Sequence, residues 1–188
     1  MKYDPEKHHR RSIRLKGYDY SQPGAYFITI CTHQRQCLFG EIIDGEMSLN
    51  EYGVIVRSHW LRLPQYYSNL KLDEFVVMPN HLHGILILSN ASIEASSSAV
   101  SPNKLLIHPP EFVTKPAPKP GVSEIVRGFK TFSSRRINQK RKAPNTPVWQ
   151  RTYYDRIIHN SIAFQATQNY IQTNPHRWNK DQLHRNTP

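Results

Sequence analysis

The spacing of hydrophobic residues changes several times along the chain and predicts alternating strands and helices. Residues 26–32 form a β-branched and aromatic run after Pro23-Gly24, which predicts a first strand. Residues 38–43 and 47–49 are strand-like and flank Asp44-Gly45, a dipeptide typical of a hairpin turn. The beginning of the chain therefore predicts a strand followed by a β-hairpin.

A helix is predicted directly after the hairpin. Asn50 is a good N-cap residue, and apolar residues between 54 and 61 recur at helical spacing. Pro64 predicts the end of this helix. We expect the helix to pack on the sheet.

The apolar stretch 75–88 predicts a central strand with Pro79 at a bend or at the strand's entry. His81 and His83 are two positions apart, so on a strand both rings project from one face, roughly 6.7 Å apart along the backbone. Two rings at that spacing can bind one cation, since metal–nitrogen bonds are about 2.1 Å long. Gly84 is expected to leave open space beside the second ring. The pair predicts half of a metal site, and two partly buried histidines with ordinary hydrogen bonds are the alternative.

The second half of the chain predicts two more helices and a strand. Residues 89–121 are rich in Ser, Ala and Pro, which predicts a flexible insertion. A helix capped by Ser123 is predicted over 123–142, a strand over 148–159, and a last helix over 160–174 that Pro175 ends. This order predicts an α+β protein with helices on one face of a largely antiparallel sheet. The open face could then present the two histidines to the last helix.

Composition narrows the class of partner. At 188 residues the chain fits one domain, and its formal charge of +11 with a pI near 9.8 favours a polyanionic partner, nucleic acid before membrane. No apolar run is long enough to span a bilayer, and the basic amino terminus lacks the apolar segment of a signal peptide. Cys31 and Cys37 indicate neither a disulfide scaffold nor a zinc cluster. We expect a reduced, cytoplasmic protein.

Basic residues concentrate in an arm over 1–24 and in the 123–142 helix. In the arm the cations alternate with Tyr18 and Tyr20, an arrangement that suits phosphates and bases, with a solvated arm as the alternative. In the helix the cations crowd around an apolar stripe and would repel one another unless a phosphate backbone relieved them. The candidate DNA-binding residues are Arg10, Arg11, Arg14, Lys16, Arg127, Lys130, Arg135, Arg136, Lys140 and Arg151. Arg156 is, with Arg151, a candidate for holding a phosphate.

Several segments together carry a family resemblance. They are Met78-Pro79-Asn80-His81-Leu82-His83-Gly84, with its His-hydrophobe-His signature, Gly17-Tyr18-Asp19-Tyr20 followed by Tyr26-Phe27-Ile28-Thr29, Trp149-Gln150-Arg151, and Tyr170-Ile171-Gln172-Thr173-Asn174-Pro175. With them the chain resembles the HUH-type single-tyrosine transposases, and most closely the REP-associated tyrosine transposases. The resemblance spans nearly the whole chain apart from the insertion.

The resemblance implies a ferredoxin-like fold that cleaves and rejoins single-stranded DNA beside hairpins through a 5′-phosphotyrosine. His81 and His83 would bind the metal, Mg²⁺ or Mn²⁺, and Tyr170 would be the nucleophile. Asn174 lies four residues after Tyr170 on the same helix face and would be the third ligand, which is a Gln in other relatives. A simple helix-terminal Asn is the alternative for this residue. Within the family, monomers and dimers both occur, and we prefer a monomer here.

Two other functions remain open from the sequence. One is a domesticated protein that binds DNA or RNA hairpins without cutting them. The other is a metal-dependent hydrolase that uses water, for which the sequence offers no acidic residue with an evident role beside the histidine pair. Tyr153 and Tyr154 compete with Tyr170 as nucleophile, although packing or base stacking is their simpler role.

Overall fold

A computed structural model describes residues 17–90 and 119–184. In chain order its elements are β1 (Gly24–Cys31), β2 (Gly40–Ile43), β3 (Glu46–Leu49), α1 (Glu51–Leu61), α2 (Leu63–Tyr66), β4 (Leu70–Met78), β5 (His81–Leu88), α3 (Val122–Lys140), β6 (Tyr154–Ile158) and α4 (Ser161–Thr173). Short 3₁₀ helices cover His33–Arg35 and Pro175–Lys180. The candidate residues Arg10, Arg11, Arg14 and Lys16, and most of the 89–121 insertion, lie outside the described residues.

The main sheet has the strand order β4-β5-β1-β6, and each neighbouring pair is antiparallel. With α1 between β1 and β4 and α3 between β5 and β6, the connectivity is the β-α-β-β-α-β of a ferredoxin-like fold. This confirms the predicted α+β class. β2 and β3 form a separate hairpin, whose turn residues Asp44 and Gly45 have the positive φ values of 52° and 82° that such turns require.

The stretch 75–88 contains parts of two strands instead of one. β4 ends at Met78, Pro79-Asn80 makes the turn, and β5 begins at His81. The carbonyl of Pro79 accepts from the backbone of Phe39, and that of Asn80 accepts from Thr32, so both turn carbonyls are satisfied. Pro79 thus lies at the entry of a strand, one of its two predicted places, and the run resembles a single strand because the residues on both sides of the turn are apolar.

Helices cover both faces of the main sheet, whereas we expected them on one face only. On one face, Tyr26 and Leu82 pack with Trp60 of α1 and Phe129 of α3. A β-carbon on Gly84 would lie 2.5 Å from Cζ2 of Trp60, so this glycine makes room for the tryptophan and not for His83 as we expected. α4 crosses the opposite face, which is the face on which the histidine rings project.

Helix ends follow local chemistry with two exceptions. Asn50 caps α1 through its side-chain oxygen, as predicted, and Asn160 caps α4 in the same way. α3 begins after Gly121, so Ser123 lies inside the helix and does not cap it. Asn174 keeps α-helical dihedrals and Pro175 opens a 3₁₀ helix, so the chain changes helix type there and does not leave the helical region.

None of the helices in 17–90 and 119–184 has the length and hydropathy needed to cross a membrane.

Candidate active site

The register of the main sheet brings the two histidines under α4. His81 pairs with Cys31 and His83 with Thr29, and all four side chains lie on the face that α4 crosses. Both histidines are buried, with 0% and 2% of their surface exposed, and their ring centroids are 4.4 Å apart. The two rings therefore meet in the interior of the protein.

Hydrogen bonds fix which nitrogen of His81 faces the centre of the site. The amide nitrogen of Asn80 donates to the carbonyls of Leu183 (2.8 Å) and Arg35 (3.3 Å), so its oxygen turns to Nδ1 of His81, 2.7 Å away. Because an amide oxygen only accepts, Nδ1 carries the proton and Nε2 keeps its lone pair. Nε2 is buried and has no hydrogen-bond partner among the described residues. It is available to a metal.

His83 connects the sheet to the tyrosine. Its Nδ1 lies 2.8 Å from Oγ1 of Thr29, and its Nε2 lies 3.3 Å from the hydroxyl of Tyr170. Phe27 stacks on the His83 ring at 5.2 Å and meets the Tyr170 ring edge-on at 6.0 Å. The structure thus brings Tyr170, 40% exposed, directly against the histidine pair.

Asn174 and Asp181 add to the histidine pair two oxygen atoms that could bind a metal. Asn174 is buried, its nitrogen donates to Oδ2 of Asp181 at 2.9 Å, and its oxygen has no hydrogen-bond partner among the described residues. The ligand atoms of His81, His83 and Asp181 all lie within 4.8 Å of one another. The backbone N–H of Leu183 donates to the other Asp181 oxygen at 2.6 Å.

This donor set fits a divalent cation. Two imidazole nitrogens and a carboxylate oxygen lie within 4.8 Å of one another. The unpartnered Nε2 of His81 and Oδ1 of Asn174 are the kind of buried polar atoms that a bound ion satisfies. Sequence reasoning missed Asp181. The available signal was its isolation, since Asp181 is the only acidic residue in 160–188.

Burial sets the charge states of the site. Burial lowers the pKa of His81 to about 3, an effect that the neighbouring Asn174 side chain partly offsets. Burial and the neighbouring His81 lower the pKa of His83 well below its ordinary value. Both imidazoles are therefore neutral at physiological pH and can bind metal without losing a proton. Burial and Asp181 raise the pKa of Tyr170, against Asn174 and Arg156, which lower it.

A cleft of about 1170 Å³ opens from His83 and Tyr170. Its walls include the cations Arg35, Arg156, Arg177 and Lys180, together with Tyr154. Of these, the sequence indicates Arg156 as a candidate phosphate contact and base stacking as one role for Tyr154, and it indicates none of the other three. The positive charge of the cleft therefore comes from β6 and from the two 3₁₀ helices, His33–Arg35 and Pro175–Lys180.

The predicted cations of α3 lie on the other face of the sheet. There, Lys130 donates to the carbonyls of Gln150 and Arg151 and so holds this segment in place. Lys140 pairs with Glu51 at 3.1 Å. Of the remaining residues predicted to bind DNA, Arg127 pairs with Glu124, Arg135 lies over the Phe132 ring, Arg136 donates to Gln139, and Arg151 is exposed. The structure does not bring this group to the tyrosine.

Comparisons with known proteins agree with this architecture. The family model described as Transposase IS200 like matches residues 111–174, a range that includes α3, β6 and α4 with Tyr170 and Asn174. An uncharacterized protein of Haemophilus influenzae is 40% identical over 187 residues and is matched over 97% of either chain. Residues 111–174 of the chain thus match the IS200-like transposase family.

Solved structures offer more distant likenesses. A REP-associated tyrosine transposase bound to a REP hairpin is 15% identical, with 87% of this chain and 73% of that chain covered and a TM-score of 0.49. A candidate transposase of Deinococcus radiodurans is 18% identical, with 88% and 98% covered and a TM-score of 0.45.

Proposed function

We propose that the protein is a metal-dependent endonuclease and strand transferase for single-stranded DNA. It would cleave and rejoin DNA beside hairpins through a 5′-phosphotyrosine. The observation that carries the proposal is the contact between the Tyr170 hydroxyl and Nε2 of His83, 3.3 Å apart, beside two unpartnered metal-ligand atoms. The match of residues 111–174 to the IS200-like transposase family supports the same chemistry.

In this reaction the phenol oxygen of Tyr170 attacks the phosphorus and a tyrosine–phosphate bond forms. The bond from the phosphorus to the 3′ oxygen of the neighbouring nucleotide breaks, the phenol loses its proton, and the departing oxygen gains one to become a free 3′-hydroxyl. One phosphodiester replaces another, so the released hydroxyl can later attack the phosphotyrosine and rejoin a strand. Tyr170 is half-buried on α4, which holds its hydroxyl beside the histidines. Little conformational entropy is then lost when the hydroxyl meets the phosphate.

His81, His83, Asn174 and Asp181 would hold the cation. When bound, Mg²⁺ or Mn²⁺ would stabilise the charge that develops on the phosphate and favour ionisation of the tyrosine. The carboxylate of Asp181 adds a hard oxygen ligand, which favours these ions over Zn²⁺ more than two imidazoles and an amide would. It also removes one unit of the ion's positive charge.

The test is a denaturing-gel assay with hairpin DNA labelled at either end and Mn²⁺. Wild type should give a protein-linked DNA band, which Tyr170→Phe and His81→Ala should abolish. Tyr66→Phe is the matched control, because Tyr66 is 70% exposed on α2, away from the site. Loss of the band in this control as well, or its persistence in Tyr170→Phe, would refute the assignment of Tyr170.

Asp181 also favours a second candidate, a metal-dependent phosphodiester hydrolase. Two histidines and a carboxylate are a common ligand set for a metal that activates water, and this removes the sequence-based objection that no acid was available. Cleavage without a covalent band, and equal in Tyr170→Phe, would establish the hydrolase. Tight hairpin binding with no cleavage at all would indicate the domesticated binder.

A further inference from the structure

Two side chains of β6 face the cleft beside Tyr170. β6 is an edge strand of the main sheet, and its register pairs Arg156 with Phe27 and Tyr154 with Thr29. Both β6 side chains therefore share the sheet face of His83 and Tyr170. Arg156 is exposed, and Tyr154 has 48% of its surface exposed. They are accessible to a ligand in the cleft.

Arg156 is held in place while most of its donors stay available. Its guanidinium carbon lies 5.6 Å from the centre of the Phe27 ring, and one nitrogen donates to Oγ1 of Thr167 at 3.1 Å. Thr167 is on α4, one turn before Tyr170. A guanidinium has five N–H donors in a planar fork that matches phosphate oxygens. No carboxylate among the described residues pairs with Arg156.

The charge of the cleft indicates the class of ligand. Arg35, Arg177 and Lys180 line it together with Arg156, against the single acid Asp181, which the metal cluster uses. Cations with an exposed aromatic ring between them suit a single-stranded nucleic acid, because the cations bind phosphates and the ring stacks on a base. A duplex would keep its bases paired and unavailable to the ring.

We propose that this cleft binds the single-stranded nucleotides around the cleaved bond, with Arg156 on the phosphate that Tyr170 attacks and Tyr154 stacked on a neighbouring base. The inference rests on the proposed function and adds the residues that would hold the substrate at that site. Tyr154 and Arg156 are two positions apart on the strand, roughly 6.7 Å, a distance that one nucleotide spans. Arg156 would then stabilise the charge that develops on the phosphate during attack.

The first arm of the test measures the rate of covalent adduct formation at saturating hairpin DNA with Mn²⁺. Arg156→Ala should lower this rate by about 100-fold or more, and Arg156→Lys should restore part of it. Arg57→Ala removes the same charge from α1 on the opposite face and should react like wild type. An Arg156→Ala rate equal to that of wild type would overturn the inference.

A purely structural role for Arg156 predicts a different pattern. If the arginine only positions α4 through Thr167, Thr167→Val should reproduce the defect, because it removes that hydrogen bond and leaves the guanidinium. We expect Thr167→Val to keep most of the adduct rate. A Thr167→Val defect as large as that of Arg156→Ala would overturn the phosphate role.

The second arm measures binding and needs no cleavage. The ligand is a fluorescein-labelled oligo(dT) of about 12 nucleotides, and every variant also carries Tyr170→Phe. Tyr154→Ala should weaken binding about 5- to 150-fold, since one stacked base contributes about 1–3 kcal/mol. Tyr154→Phe keeps the ring and should leave the affinity nearly unchanged. Unchanged affinity in Tyr154→Ala, or tighter binding of the matching RNA or duplex, would overturn the site. If wild type forms no adduct but this arm succeeds, the proposed function fails and the binding cleft stands.

Discussion

Acid should destabilise the metal-free protein because His81 and His83 are buried in their neutral forms. Unfolding exposes both rings to water, where an ordinary histidine has a pKa near 6.5. In the folded state burial lowers the pKa of His81 to about 3 and that of His83 well below its usual value. Below pH 6.5 the unfolded chain therefore binds protons that the folded chain does not, so stability falls as the pH falls.

The magnitude follows from the same linkage. Each histidine contributes about 1.4 kcal/mol per pH unit once the pH is well below 6.5, so two histidines together should remove about 4 kcal/mol between pH 7 and pH 5. That loss is a large fraction of the stability of an ordinary domain, about 5–15 kcal/mol. It corresponds to a fall in Tm of about 8–16 °C for a protein of this size.

Urea unfolding followed by circular dichroism at pH 7 and pH 5, with EDTA present, measures this loss. His81→Asn is the informative variant, since the amide nitrogen of Asn can replace Nδ1 as the donor to Asn80 but does not titrate. It should lose about half as much stability on acidification as wild type. An equal loss in the two proteins would refute the conclusion that His81 is buried as a neutral base.

Three further changes test the metal site and the fold. Asp181→Asn should lower the apparent affinity for Mn²⁺, measured from its stabilisation in thermal melts, by about 10- to 100-fold. The control is Glu51→Gln, which changes an exposed acid, and equal affinities in the two variants would exclude Asp181 as a ligand. Gly84→Ala should destabilise by about 1–3 kcal/mol because of the contact with Trp60, and Trp60→Phe in the same chain should recover part of this if the clash is the cause. Asn50→Ala should cost about 0.5–2 kcal/mol in urea unfolding, since it removes the cap of α1; no loss would show that the cap is dispensable.

Local chemistry predicted the elements well and their assembly less well. Asn50, Asn160 and Asp44-Gly45 act within a few residues, so their roles follow from sequence alone. The two strands that flank Pro79-Asn80 were harder to separate, because apolar residues continue on both sides of this turn and their pattern does not show where β4 ends and β5 begins.

Charge density predicted a polyanionic partner but not the surface nearest to the tyrosine. The dense cations of α3 dominate the sequence, yet the fold puts α3 on the face opposite Tyr170. The sequence indicated Arg156 only as a candidate phosphate contact, and its position beside the site follows from the register of β6 with Phe27. Asp181 was missed for a related reason, since its approach to His81 depends on the path of the chain after α4 and not on any periodic pattern.

The residues after α4 determine the polarity of the metal site through two amides. Asn80 donates to the carbonyl of Leu183, and Asn174 donates to Asp181, so each amide nitrogen has a fixed acceptor from the 181–184 segment. Each amide oxygen is consequently turned inward, one to orient His81 and one toward the cluster itself. An amide free to rotate could equally present its N–H donors, which would repel a cation. The orientation of both amides would therefore preorganise the proposed metal site electrostatically, and it is supplied by a segment with no ligand-like spacing in the sequence.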